Sequence, residues 1–186
     1  MVAFKSKYRI VTVSGKIAVG TSTLARNLSS VLDWQYVNIG ALQRKFDETH
    51  GINQNMQGAS SRSDRHEKSM EDMTAKMLGH EKNIVYEAWL SGFMGREIHD
   101  IFRVLLVCSS DDVRVDRVVN RDNLSIDEAK KWIKQREKEN ISKWKKLYGD
   151  FDFWDPKYFN LVIDTYNSGP METVGKVLDR LGFKHK

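Results

Sequence analysis

The sequence predicts an α/β protein, with a five-stranded parallel sheet flanked by helices, and three observations carry that expectation. Strand-like and helix-like segments alternate along most of the 186 residues, an order that favours a parallel sheet joined by right-handed crossovers. The stretch 102–108 is almost continuously apolar, as a central strand covered on both faces must be. An earlier apolar run ends at Gly15, and a second glycine, Gly20, precedes the hydroxyl-rich Thr21, Ser22 and Thr23. That is the layout of a loop that wraps an oligophosphate at a helix N-terminus.

Each element follows from its local pattern. Residues 8–13 alternate and are rich in β-branched side chains, which reads as a buried strand. Leu24, Leu28, Val31 and Leu32 then recur at helical spacing over 22–32. Residues 34–37 form a second short strand, and a helix carrying Leu42 and Phe46 follows Gly40 and runs to Gly51. The polar stretch 51–63 reads as a loop, open to movement. Met70, Met73 and Met77 set a helix over 64–78 and read as core. Residues 83–86 make a third strand that delivers Glu87, and 102–108 a fourth. A helix over 111–120 is capped by Ser110 or Asp111, and a long polar helix over 125–147 opens with a capping box at Ser125 and Glu128. Residues 158–164 form the fifth strand; Met171, Val174, Leu178 and Leu181 place one stripe on a closing helix after Gly169 and Pro170.

Composition narrows the function classes. The length suits one domain, with no repeat or low-complexity segment. Hydrophobic residues at 40% and charged residues at 30% exclude a disordered or membrane-embedded chain. No apolar run approaches the ~20 residues of a membrane span, and Met1 to Lys7 leads directly into the first strand without a signal-peptide pattern. The lone Cys108 permits no intrachain disulfide and reads as a small strand-end residue, so the expected setting is cytoplasmic. A net charge of +5 suits a pocket that gathers several phosphates, and is compatible with nucleic acid, which is not favoured. Much of the excess lies in 130–146, either a solvated helix face or an anion-binding one.

The chemistry is expected beyond the C-terminal ends of the strands. The phosphate loop departs from the usual GxxxxGK[ST] pattern, because Thr21 stands where a lysine reaches the β- and γ-phosphates. Either the loop no longer handles nucleotide, or the charge comes from Lys16, directly after the first glycine; retention of both glycines favours Lys16. Ser22 keeps the position of the hydroxyl that coordinates Mg²⁺. Glu87 either joins it in holding the metal or is a buried glutamate satisfied by its neighbours. Arg117 and Arg121, four apart, share one helix face, as do Arg136 and Lys143, seven apart. Phosphoryl transfer needs positioning and positive charge, which such a set supplies.

Together these residues resemble the archaeal-type cytidylate kinase branch of the phosphate-loop nucleoside monophosphate kinases, over nearly the whole chain. Val37-Asn38-Ile39-Gly40 with Arg44 resembles the start of the monophosphate-binding helix. Arg121-Asp122-Asn123-Leu124-Ser125 resembles the start of the lid, Arg136-Glu137 its arginine, Lys146-Leu147-Tyr148-Gly149 its exit, and 160–165 the last strand. The resemblance implies a single kinase domain over 1–186, with a monophosphate-binding region at 39–80 and a helical lid at 121–149. It implies Mg²⁺-ATP as donor and a nucleoside monophosphate, CMP or dCMP, as acceptor.

On that reading ATP phosphates lie against Gly15, Lys16, Ala18, Val19, Gly20, Thr21, Ser22 and Thr23, with the base near Arg117, Asp164 and Thr165. Lys16, Arg121 and Arg136 are the catalytic cations, and Gly40, Arg44, Asp72, Trp89 and Lys143 face the acceptor. Asp64 competes with Asp72 for the contact to the base. Two departures fall on the acceptor side. Ala88-Trp89 replaces the family's Gly-Arg after the strand-end glutamate, and Lys143 stands in place of a second lid arginine. Trp89 either stacks on a base or plugs the pocket. Another small acceptor, or nucleotide-dependent binding of RNA without catalysis, are the alternatives; the sequence leaves oligomeric state open.

Overall fold

The computed structural model describes residues 6–52 and 62–183, so most of the 51–63 stretch expected as a loop lies outside them. Strand β1 (Ile10–Gly15) is central and parallel to β3 (Ile84–Glu87) on one side and β4 (Ile101–Val107) on the other. Strands β2 (Gln35–Asn38) and β5 (Leu161–Asp164) form the edges, giving the order β2-β3-β1-β4-β5, parallel throughout. In this register Val13 and Asn38 both lie beside Glu87, which brings three strand ends together on the C-terminal rim.

Burial on both faces explains the unbroken apolar strands. Val11, Val13, Val104 and Leu106 pack with Leu24 and Leu28 of α1 (Thr21–Leu32) and Val174, Val177 and Leu178 of α7 (Pro170–Leu181). Ile10, Ile84, Tyr86 and Ile101 pack on the opposite face with Leu78 of α3 (Asp64–His80), and Met70, Met73 and Met77 pack against them, so the methionine stripe is core. Among the described residues no helix is long and apolar enough to cross a membrane.

Caps set the helix starts. Ser110, rather than Asp111, caps α5 (Asp111–Asp122), accepting from the Val113 amide. The capping box at Ser125 and Glu128 opens α6 (Ile126–Tyr148). Helix α2 (Ile39–Thr49) starts one residue before Gly40, because the Asn38 side chain already accepts from the Ala41 amide at 2.8 Å. Strand β5 is shorter than expected, since a 3₁₀ turn at Pro156–Tyr158 occupies the start of that stretch. A four-residue helix, α4 (Ser91–Met94), carries too few residues to show a period in the sequence. It is wedged against β1 by Ser91 Oγ at 2.9 Å from Ser14 Oγ, and a Cβ on Gly92 would stand 2.1 Å from the Phe159 ring.

Candidate active site

The phosphate loop connects β1 to α1 and is shaped by its backbone. Ala18 and Gly20 take left-handed conformations, with φ of 59° and 96°, a curl that turns successive amides to one side. A Cβ on Gly15 would lie 2.5 Å from Val19 Cγ2 and 2.7 Å from the Leu106 carbonyl, so only glycine fits. Three consecutive carbonyls on the outside are each bound by a side chain. Arg114 Nε donates to Ile17 O at 2.9 Å, Arg117 Nη1 to Ala18 O at 3.0 Å, and Thr165 Oγ1 to Val19 O at 2.9 Å. Helix α1 begins with no side-chain cap, which leaves its first amides to a ligand.

Glu87 closes the far side of the loop. Its Oε1 accepts from Thr21 Oγ1 at 2.8 Å and Ser22 Oγ at 2.6 Å, and its Oε2 from Asn38 Nδ2 at 2.7 Å and from the Tyr36 hydroxyl. Burial, then the hydrogen bond to Glu87, pushes the Tyr36 phenol up. A carboxylate and two hydroxyls are hard oxygen donors, and Mg²⁺ is bound by one or two carboxylates together with phosphates and waters. The set therefore fits that ion.

Thr21, Ser22, Asn38 and Glu87 line a cleft of about 640 Å³, and a smaller cavity of about 110 Å³ adjoins it between α2, α3 and α6. Gly40, Arg44, Ala88, Trp89 and Arg136 belong to both. Arg121 and Arg136 lie over the Trp132 ring at 5.5 and 5.3 Å from its centre, and Arg121 also pairs with Asp122 at 2.6 Å. Burial, with Arg62, Arg44 and Arg121 nearby, pushes the Arg136 guanidinium down to about 10. An anion bound at this junction relieves that repulsion.

The structure gathers Gly15, Lys16, Ala18, Val19, Gly20, Thr21, Ser22, Thr23, Gly40, Arg44, Glu87, Trp89, Arg117, Arg121, Arg136 and Thr165 around the cleft. Three expected residues lie elsewhere. Asp164 turns away from the cleft and accepts from the Ser109 and Tyr166 amides, each at 3.0 Å; bonds from Ser109 and then Tyr166 hold its carboxyl low. Asp72 is exposed on α3 and lines neither cavity, whereas Glu71, one residue earlier, lines the smaller one. Lys143 donates to the Arg62 carbonyl at 2.6 Å and pairs with Asp64 at 3.4 Å, tying α6 to the start of α3.

Sequence reasoning missed Tyr36, Asn38, Arg114 and Trp132. Period-two alternation in β2 was the available signal for Tyr36 and Asn38, which share one face beside Glu87. Nothing local marks Arg114, whose target is 97 residues away. Its guanidinium also pairs with Glu137 of α6, and Glu137 Oε1 accepts from the Ile17 amide at 3.3 Å, so α6 is joined directly to the phosphate loop.

Comparison with known proteins agrees with this geometry. The model of the cytidylate kinase-like family matches residues 10–167. The cytidylate kinase of Thermococcus sibiricus is 31% identical over 166 residues, covering 88% of this chain and 83% of that protein. The cytidylate kinase of Ignicoccus hospitalis is 30% identical over 172 residues, covering 91% and 98%. In fold, the chain resembles a gluconokinase from Sinorhizobium meliloti with a TM-score of 0.61 at 13% identity, over 96% of this chain and 94% of that one. A phosphate loop at the end of a central parallel strand, matched over most of its length by one family, settles the affiliation: the chain belongs to the cytidylate kinase-like family.

Proposed function

We propose that this protein transfers the γ-phosphoryl group of ATP to a nucleoside monophosphate, with CMP or dCMP as the acceptor. The observation that carries the reading is the junction of the two cavities, where Arg44 and Arg136 border both spaces. A donor phosphate on the loop and an acceptor phosphate at Arg44 would meet there. The names of the relatives support the same acceptor class.

Each group then has a task. The loop amides and the N-terminus of α1 bind the donor phosphates, while Arg117 and Thr165 stand toward the donor base. Ser22 and Glu87 would hold Mg²⁺, which would supply positive charge to neutralise the phosphates. Lys16, Arg121 and Arg136 spread positive charge over the group in transit, and α6, within a lid at 121–149, carries Arg136. The region 39–80 receives the monophosphate, with Arg44 on its phosphate and Gly40 beside it at the junction of the two cavities.

The smaller cavity suits a one-ring base. Its wall carries Glu71; burial, and then the hydrogen bond to the Glu71 carboxylate, pushes the Tyr148 phenol up. A carboxylate in the pocket wall favours a base with an exocyclic amine over one with a carbonyl at the same position. Glu71 therefore takes the place expected of Asp72.

Incubation with Mg²⁺-ATP and each nucleoside monophosphate, ribo and deoxy, tests the reading by diphosphate formation. CDP or dCDP is expected to form fastest. Donor binding with no diphosphate from any of them would overturn it. In that event Trp89, standing where the family has an arginine, favours a different small acceptor.

A further inference from the structure

Lys16 is held in an unusual way. It leaves the loop directly after Gly15, is exposed, and lines the larger cleft. Among the described residues no carboxylate pairs with it in an ion bridge; its ammonium lies 5.3 Å from the centre of the Trp154 ring. A carboxylate partner would hold a lysine by cancelling its charge. An aromatic face holds it while leaving the charge intact and free to face phosphate.

Trp154 is itself firmly placed. It is 9% exposed, and its Nε1 donates to the Trp89 carbonyl at 3.1 Å. Its ring lies 6.1 Å from both Trp89 and Trp144, and its amide donates to Asp152 Oδ1 at 3.1 Å. It lines neither cavity, so it does not act by touching a ligand there. Trp89 lines both, and the carbonyl of that same residue orients the indole.

We propose that Trp154 is a positioning residue for Lys16: its indole face keeps the ammonium at the mouth of the phosphate loop as the cation that the loop lacks at Thr21. The inference rests on the reading that this loop binds donor phosphates. Lys16 stays over the ring when the nucleotide is bound and meets the phosphates from there, so the contact is kept in the bound state. Trp154 thereby shortens the search of a long, flexible side chain.

The test is a double-mutant cycle on binding of Mg²⁺ and a non-hydrolysable ATP analogue, followed by calorimetry and by tryptophan emission. Trp154→Leu weakens binding about 3- to 10-fold, and Trp154→Phe, which keeps a ring face, recovers most of the loss. In a Lys16→Met background Trp154→Leu has no further effect, and the emission change on binding shrinks in Lys16→Met as in Trp154→Phe. Thermal melts of each variant separate a folding defect from a binding one, and Trp154→Phe keeps the test open if Trp154→Leu unfolds. Losses that simply multiply in the double variant would overturn the inference alone. Failure of the wild-type protein to bind the analogue would overturn the donor-site reading, and this inference with it.

Discussion

The two cavities that meet at Arg44 and Arg136 are supported by different means. The donor side is a backbone structure. Its loop grows from a central strand, its left-handed turns set the curl, and Arg114, Arg117 and Thr165 bind three successive carbonyls. The acceptor side is a side-chain structure. It stands on helices tied by Asp47, Arg62 and Glu67 and by the link from Lys143 to the Arg62 carbonyl. Binding phosphate needs amides fixed in place, which a stapled loop provides. Selecting an acceptor needs particular side chains in a particular cavity, which helices can present.

That contrast is sharpest at Lys16, a donor-side group whose contribution is the charge on an exposed side chain. If it supplies the missing cation, Lys16→Ala lowers turnover about 10³–10⁵-fold, roughly 4–7 kcal/mol of barrier, by analogy with other cations acting in phosphoryl transfer. Stability is expected to hold, because the side chain is exposed. Steady-state rates beside a denaturation curve check both halves, and a loss below ~10-fold would sink the replacement.

On the acceptor side the largest effect falls on stability instead. Arg62 grips Asp47 through Nε at 2.9 Å and Nη2 at 3.0 Å, with the two side chains only 4% and 1% exposed. Arg62→Met leaves the Asp47 carboxylate buried without its cation, a change expected to cost about 3–5 kcal/mol in urea unfolding. Adding Asp47→Asn should restore part of this, since the uncompensated charge is gone. A loss under ~1 kcal/mol would mean that the acceptor helices do not depend on the pair.

What could be read from sequence divides along the same line. The loop was legible because its parts are contiguous, and Glu87 because a strand end fixes its place. The carbonyl staples were not: from sequence Arg117 reads as a neighbour of the donor base, and nothing singles out Arg114 until the fold brings α5 over the loop. On the acceptor side Asp72 and Glu71 differ by one residue on a helix, about 100° of rotation, and the structure turns Glu71 to the cavity. Lys143 has the spacing of a site residue but is drawn to the start of α3, a contact across 81 positions that no local pattern encodes.

Strand β3 joins the two sides, for Glu87 faces the loop while Tyr86, its neighbour, faces α3 and bonds Thr74 Oγ1 at 2.7 Å. Burial pushes the Tyr86 phenol up to about 12, against a small opposing effect of the Thr74 bond. The unfolded chain ionises this tyrosine near pH 10, whereas the folded chain keeps it protonated to about 12. The stabilisation is therefore complete below pH 10 and is lost as pH rises from 10 to 12, by about 2–3 kcal/mol at the upper end. Other tyrosines titrate in the same window, so the informative quantity is the difference in unfolding free energy between wild type and Tyr86→Phe. That difference should shrink steadily above pH 10, because phenylalanine cannot ionise in the unfolded chain. A difference that does not change with pH would show that Tyr86 ionises as readily in the folded protein as outside it, and that the junction of β3 with α3 admits water.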